Sequence, residues 1–405
     1  MSFQQGLSGL NAAAKNLDVI GNNVANSNTS GFKQGVAVFG DVFAASLGGG
    51  GGTQVGIGTQ ITGVNQQFTQ GNISLSNNPL DIAVNGQGFY RMSNGGAVTY
   101  TRNGGFSVDK NGYIVGGRGA NLTGFQASNG AIVPGVLVDL RLSSSDLLPK
   151  ATSTAGIGAN LASTAPIMPA ASFVATDPQT YNFSTASTLY DTLGQSHTMT
   201  LYFNKTAANT WVSNVYIDGA AANGAGTSTL TFDTSGVLST ATPPTNLVKT
   251  AVLTNGAAPL SVTMDYSAMT QFGSGFGVNS LSQDGFASGR LSGYNIGNDG
   301  IILGRYTNGQ SQMLGQVALS NFINPQGLSP LGDSMWAESA TSGIPLTGAP
   351  GTASLGVIQS GAKEDSNVDL TAELVNMITA QRVYQANAQS IKAQDAVLQT
   401  LVNLK

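Results

Sequence analysis

DLTAELVNMITAQRVYQANAQSIKAQDAVLQTLVNL, residues 369–404, contains neither glycine nor proline. Asp369 is a good N-cap, and Glu373 places negative charge in the first turn. Leu370, Leu374, Met377, Gln381, Tyr384, Ala388, Ile391, Asp395, Leu398 and Val402 then recur at alternating steps of four and three. That spacing predicts a long helix with a heptad seam, about 54 Å in length. Ile378, Val383, Val397 and Leu401 widen the apolar stripe, which suggests more than one neighbouring helix.

The other end of the chain supplies a matching pattern. Ser2 and Gln5 have capping-box spacing. Phe3, Leu7, Leu10, Ala14, Leu17 and Val24 repeat the four–three steps, with Gly21 in the one missing place. The helix should end in NNVANSNTSG, with Gly31 as its stop. Only Lys15 and Asp18 are charged in residues 1–30. A helix this short is marginal alone. Two readings stay open: an intramolecular helical hairpin, or packing between the termini of many copies.

Between the ends the sequence reads β. LDIAVNG (80–86), GFYRM (88–92), AVTYTR (97–102), FSVD (106–109) and YIVG (113–116) are short strand-forming runs. Asn94-Gly95 and Asn111-Gly112 mark hairpin turns between them. TASTLYDTLGQSHTMTLYF (185–203), TWVSNVYID (210–218), STLTFDTSGVLST (228–240) and LSVTMDYS (260–267) form a second β block. A third, 285–358, returns to alternation. Residues 145–284 hold seven Asp and three Lys but no Glu or Arg, so they read as an insertion.

The expected fold is therefore mainly β with long terminal α-helices, built as nested discontinuous domains. Residues 1–30 and 364–405 form a helical coiled-coil layer, with 31–70 and 359–363 as linkers. Residues 71–144 and 285–358 form an inner β domain, and 145–284 an inserted outer one. SLGGGGGTQVGIGT (46–59) has the content of a flexible linker.

Composition narrows function. Of 405 residues only 9% are charged, and the net charge is −4, which argues against nucleic acid. Cysteine is absent and His197 is the sole histidine, so thiolate and His-rich metal sites are excluded. No cofactor, small-molecule substrate or enzymatic activity is expected. GIGTQITG (56–63) lacks the spacing of a nucleotide loop and reads as linker or turn. His197, with Asp191 and Ser196 nearby, lacks a nucleophile elbow and reads as a solvent-side strand residue. Phe89, Tyr90, Tyr100, Phe106, Tyr113 and Phe125 read as core, with a carbohydrate platform as the alternative. The start of the chain lacks the basic and apolar regions of a signal peptide. A soluble chain, or export without a cleaved signal, is expected. Low surface charge gives up a common protection against association, which favours assembly.

GLSGLNAAAKNLDVIGNNVANSNTSGFK (6–33) resembles the shared N-terminal motif of bacterial flagellar rod and hook proteins. Residues 366–405 resemble the other end of that family. PLDIAVNGQGFYRM (79–92) and TYTRNGGFSVDKNGYIV (99–115) resemble its β-domain signature. Length and the 145–284 insertion are similar to hook subunits, with the shorter distal rod subunits as the alternative. A surface β-domain binding protein is a remoter one.

The resemblance implies a structural subunit that self-assembles into a short, curved tube, a universal joint carrying torque from rod to filament. It implies terminal helices around the central channel, with an assembly seam of Leu7, Leu10, Leu17, Val24, Leu374, Met377, Tyr384, Ile391 and Leu398. It implies a hook location on the cell exterior. Its implied partners are further copies of itself, the distal rod protein, the hook–filament junction protein, the hook cap protein and the flagellar type III export apparatus. Phe39-Gly40-Asp41-Val42-Phe43 resembles the aromatic-flanked export motif of such substrates, with Phe39 and Phe43 as the candidate residues.

Overall fold

A computed structural model describes residues 3–42, 56–128, 130–143, 145–224, 227–242 and 247–403. The chain divides into two compact units. The first comprises residues 1–143, 294–304 and 312–405; the second comprises 144–293 and 305–311.

The first unit carries both helices. Helix α1 spans Phe3–Ala25 and helix α2 spans Leu370–Asn403. Asp369 caps α2, its Oδ1 accepting from the amides of Thr371 (2.9 Å) and Ala372 (3.1 Å). Ser2, the expected cap of α1, lies outside the described residues. Gln5 instead donates through Nε2 to the Gly56 carbonyl at 2.6 Å.

Two strands, β1 (Gly35–Val42) and β2 (Gly58–Gln66), pair antiparallel with a bulge after Val38. Ser8 of α1 accepts from the Thr59 amide, so β2 is tied to the helix. The stretch read as linker is thus largely a β ribbon, and GIGTQITG is mostly strand. Weak patterning in a charge-poor, Gly-rich segment hid it, because the ribbon is ordered by packing on α1 rather than by its own propensity. The Gly run at 48–52 lies outside the described residues.

The β part of this unit is a large branched sheet flanked by two-stranded antiparallel pairs, Ile82–Asn85 with Val357–Ser360 and Ile73–Leu75 with Ala362–Glu364. Phe89–Asn94 pairs with Ala97–Thr101, with Asn121–Ser128 and with Leu319–Asn321. The first hairpin closes on Gly95-Gly96, one residue later than Asn94-Gly95. Both glycines have positive φ (58° and 95°), the type I′ geometry that suits a two-residue hairpin. Ile82, Val84, Tyr90, Met92, Ile114, Leu122, Val317, Leu319 and Ile358 form its core. A second cluster packs Phe68, Phe89, Tyr100, Phe322 and Trp336 edge to face, with centroids 4.8–6.0 Å apart. Each such buried side chain contributes roughly 1.5–3 kcal/mol of transfer free energy.

The second unit is a two-sheet sandwich. One sheet runs Phe183–Tyr190, Ser196–Ala207, Thr210–Ile217, Ser228–Phe232 and Leu238–Thr242 in sequence order, antiparallel throughout. The other includes Thr154–Asn160 between Leu260–Asp265 and Gly277–Gln283. Alternation supplies the core: Met199, Leu201 and Phe203 face Ile157, Val262 and Met264, and Trp211 is fully buried. The Trp211 indole donates to Gln271 at 2.6 Å, which removes the cost of burying its N–H.

His197 departs from the solvent-side placement expected of it. Its side chain is only 10% exposed and bridges two carboxylates: Nδ1 to Asp218 at 2.5 Å and Nε2 to Asp191 at 3.2 Å. Burial alone would lower its pKa, but the hydrogen bonds with Asp218 and Asp191 outweigh it and raise the value. Both carboxyls are lowered in turn, the bonds they accept outweighing burial. The Asp191 carboxylate also accepts from Asn255 and the Gln195 amide, so the cluster ties loop to strand.

Candidate functional site

The terminal helices lie antiparallel, and their contact is made by small residues. A methyl group on Gly6 would stand 3.0 Å from Cγ1 of Ile391, and one on Gly9 would stand 2.9 Å from the Asn387 amide. Gly6, Ala13, Ile20 and Asn23 are the buried positions of α1. They sit one residue before the apolar repeat, so α1 turns about 100° away from the expected seam. Leu7 is exposed, while Leu10, Leu17 and Val24 are half-buried.

Helix α2 behaves alike. Glu373 and Ala380 are buried, and Met377, Asn387 and Ile391 are half-buried. Leu374 (45% exposed), Tyr384 (37%) and Leu398 (56%) point outward, with Leu370, Val375, Ile378 and Val397 beside them. Of the nine seam residues, the structure brings Ile391 against α1 and leaves Leu7, Leu374, Tyr384 and Leu398 on the surface. Phe39 lies on β1 and is 36% exposed; Phe43 lies outside the described residues.

A buried ionic cluster fixes the helix pair to the β sheet. Lys33 Nζ stands 2.6 Å from Glu364 Oε1 and donates to the Thr69 carbonyl at 2.7 Å. Arg102 approaches Glu364 Oε2 at 3.6 Å and donates to the Gly86 carbonyl at 2.7 Å. The Gly71 amide donates to Glu364 Oε1 at 2.9 Å. The Lys33 and Glu364 side chains are fully buried, and Arg102 is 4% exposed. Burial lowers the Lys33 pKa against the opposing pull of Glu364.

Around this cluster the two ends exchange backbone partners. The Gly31 amide donates to the Glu364 carbonyl at 2.8 Å. The Gln34 backbone amide donates to Asn367 Oδ1 at 2.8 Å, and its side-chain Nε2 donates to Glu373 Oε1 at 2.5 Å. Asn23 both donates to and accepts from the Gly35 backbone. Sequence reading named Gly31 and Glu373 only for local helix roles and missed the anchor of Lys33, Arg102 and Glu364. Lys33 and Glu364 are 331 positions apart, too far for any local pattern to pair them.

This arrangement ties the two ends of the chain to the β sheet through buried charge pairs and backbone hydrogen bonds. It presents an apolar helical face on a rigidly anchored stalk. Among the described residues no helix is long and apolar enough to cross a membrane, so that face is not explained by a membrane-spanning helix.

Comparison with known proteins agrees with this anatomy. Four family descriptions match in chain order. They are flagella basal body rod protein (3–33), flagellar hook protein FlgE/F/G D1 domain (83–146), flagellar basal body protein FlaE D2 domain (160–286) and flagellar basal body rod FlgEFG protein C-terminal (359–404). The flagellar hook protein FlgE of Escherichia coli K12 is 40% identical, and that of Salmonella typhimurium 41%, each over the whole of both chains. The crystal structure of Helicobacter pylori flagellar hook protein FlgE2 aligns with a TM-score of 0.53 at 13% identity. It covers 71% of this chain and 99% of that one, a likeness of fold. Full-length identity of this order, with helical ends, inner sheet and inserted sandwich matched in sequence, places the chain in the flagellar hook protein FlgE family.

Proposed function

We propose that this hook-family chain polymerises through its terminal helices into the curved tube that joins rod to filament and transmits torque. The observation that carries the reading is the set of exposed apolar side chains along α2, Leu370, Leu374 and Ile378 near its start and Val397 and Leu398 near its end, on a helix pair already closed by its small-residue face. A helical hairpin with an apolar outer face needs further helices to cover it. On this reading the hairpin within the chain, which the close approach of Gly6 to Ile391 supports, and a layer between chains are compatible.

The finer partners follow from the same reading: the distal rod protein below, junction proteins above and a cap during growth. Export through the flagellar type III apparatus without a cleaved signal is part of it, with Phe39 and Phe43 as recognition residues. The weakly charged surfaces of the β units suit contacts that slide as the tube bends. Negative-stain electron microscopy of the purified chain at rising concentration tests the polymer. Curved tubes are expected; a monomer at all concentrations, with cap protein added, refutes it. Loss of secretion on Phe39→Ala with normal cellular levels tests the export motif; unchanged secretion refutes it.

A further inference from the structure

Between α1, β1 and α2 lies a cleft of about 310 Å³ whose walls include Ala13, Ile20, Val36, Ala380 and Val383. Glu373 lines it, 3% exposed. Its Oε1 accepts from Gln34, but its Oε2 has no hydrogen-bond partner. A carboxyl oxygen buried without a hydrogen-bond partner is costly, and the cleft beside it is walled by apolar side chains.

The same helix carries a donor. Arg382 is exposed and, among the described residues, makes no ion pair. Ile378 and Val375 precede it on its own face, 51% and 58% exposed. The other cations of the helix pair fit less well. Lys15 is engaged by Asp18 at 3.3 Å, and Lys392 has Asp395 one turn on. Arginine also has the fork geometry that suits a carboxylate.

Nine residues separate Glu373 from Arg382. At 3.6 residues per turn that is about two and a half turns, roughly 180° around the helix and ~13.5 Å along it. Acceptor and donor therefore lie on opposite sides of one helix and cannot meet within a chain. We propose that Arg382 of a second copy seats in this cleft and donates to Glu373 Oε2, its Val375 and Ile378 covering the apolar walls. The contact is head-to-tail: each copy offers one cleft and one arginine, on opposite faces. Such a heterologous contact does not close on itself in a pair and propagates as an open helical row. It rests on the polymer reading above and adds its register: parallel α2 helices displaced by nine residues.

A cysteine pair tests that register, since the chain has no cysteine of its own. Ala380 lines the cleft one heptad after Glu373, and a nine-residue displacement sets it opposite Gln389 of the next copy. Within one chain these positions are ~13.5 Å apart along the helix, too far for a disulfide. Full-length chain carrying A380C and Q389C, assembled into tubes and oxidised, is expected to give a covalent ladder on denaturing gels. Adding Arg382→Gln should weaken that ladder at least tenfold. Tubes with no ladder, or a ladder unchanged by Arg382→Gln, would overturn the contact while leaving the polymer reading intact. Failure of the unsubstituted chain to form tubes would overturn both. Should the cysteines themselves block assembly, the critical concentration of Glu373→Gln, Arg382→Gln and the double variant decides. A double variant no worse than either single one supports the pair; multiplying losses overturn it.

Discussion

Replacing Glu364 by glutamine should unfold the first unit at markedly lower denaturant than any other single polar substitution there. The wild-type cluster holds one carboxylate between Lys33 at 2.6 Å and Arg102 at 3.6 Å, all three side chains at or below 4% exposure. The glutamine keeps the volume but leaves two buried cations facing each other without a counter-charge. Removing one partner of a buried pair costs about 3–5 kcal/mol, and the upper half of that range applies here because two cations lose the same partner. Lys33→Met is the internal control: it leaves Arg102 and Glu364 as a neutral pair, so a smaller loss of about 2–3 kcal/mol is expected. The assay is urea unfolding of full-length chain followed by Trp336 emission, in a Trp211→Phe background that silences the other unit. With an m-value of about 2 kcal/mol/M, Glu364→Gln should lower the midpoint by roughly 2 M and Lys33→Met by roughly 1 M. Equal shifts for both variants, or a Glu364→Gln midpoint within about 0.3 M of wild type, would refute the electrostatic account of the anchor.

Leu374→Asp and Leu398→Asp should each abolish tubes yet leave the circular dichroism and melting of the monomer unchanged, because both side chains are already exposed in the single chain. Ile391→Asp differs: it faces Gly6, so it should loosen the helix pair itself, read as faster amide exchange in α1. The second unit should be most stable between about pH 4 and 6.5. The raised His197 contributes stability that is lost as pH climbs through its folded value, and lowered Asp191 and Asp218 contribute stability lost as pH falls through theirs. His197→Gln should flatten the alkaline limb of a melting-temperature profile, and an unchanged limb would sink the bridge. Gly31→Ala should destabilise the first unit by about 2 kcal/mol or more: φ is +70°, and the new methyl would meet the Asn103 backbone nitrogen at 2.5 Å. A midpoint equal to wild type in the same urea assay would refute it.

The parts of this protein readable in its sequence are those set by neighbours along the chain. The α2 boundaries follow from Asp369 and an unbroken run, and the strand positions follow from alternation and turn residues. The facing of α1 was not readable, for a physical reason. Apolar spacing singles out the face of Leu7, Leu10 and Leu17, whereas Gly6, Gly9 and Ala13 permit close backbone approach to α2 and leave no apolar signal. The anchor of Lys33, Arg102 and Glu364 was invisible because its members come from three distant segments with ordinary local patterns. His197 shows the same limit on a smaller scale: Asp218, its closer partner, is 21 residues away across two strands.

The pairing of Ile73–Leu75 with Ala362–Glu364, and of Gly31 with Glu364, has a kinetic consequence. Nearly the whole chain must be present before the first unit can close, whichever end is delivered first. The sandwich is drawn almost wholly from one continuous stretch and can form as soon as that stretch is free. Loop-closure entropy makes the late pairing slow. Pairing of the two ends is therefore expected to follow formation of the sandwich as the chain folds. The ring of contacts is completed only once both ends reach the same place.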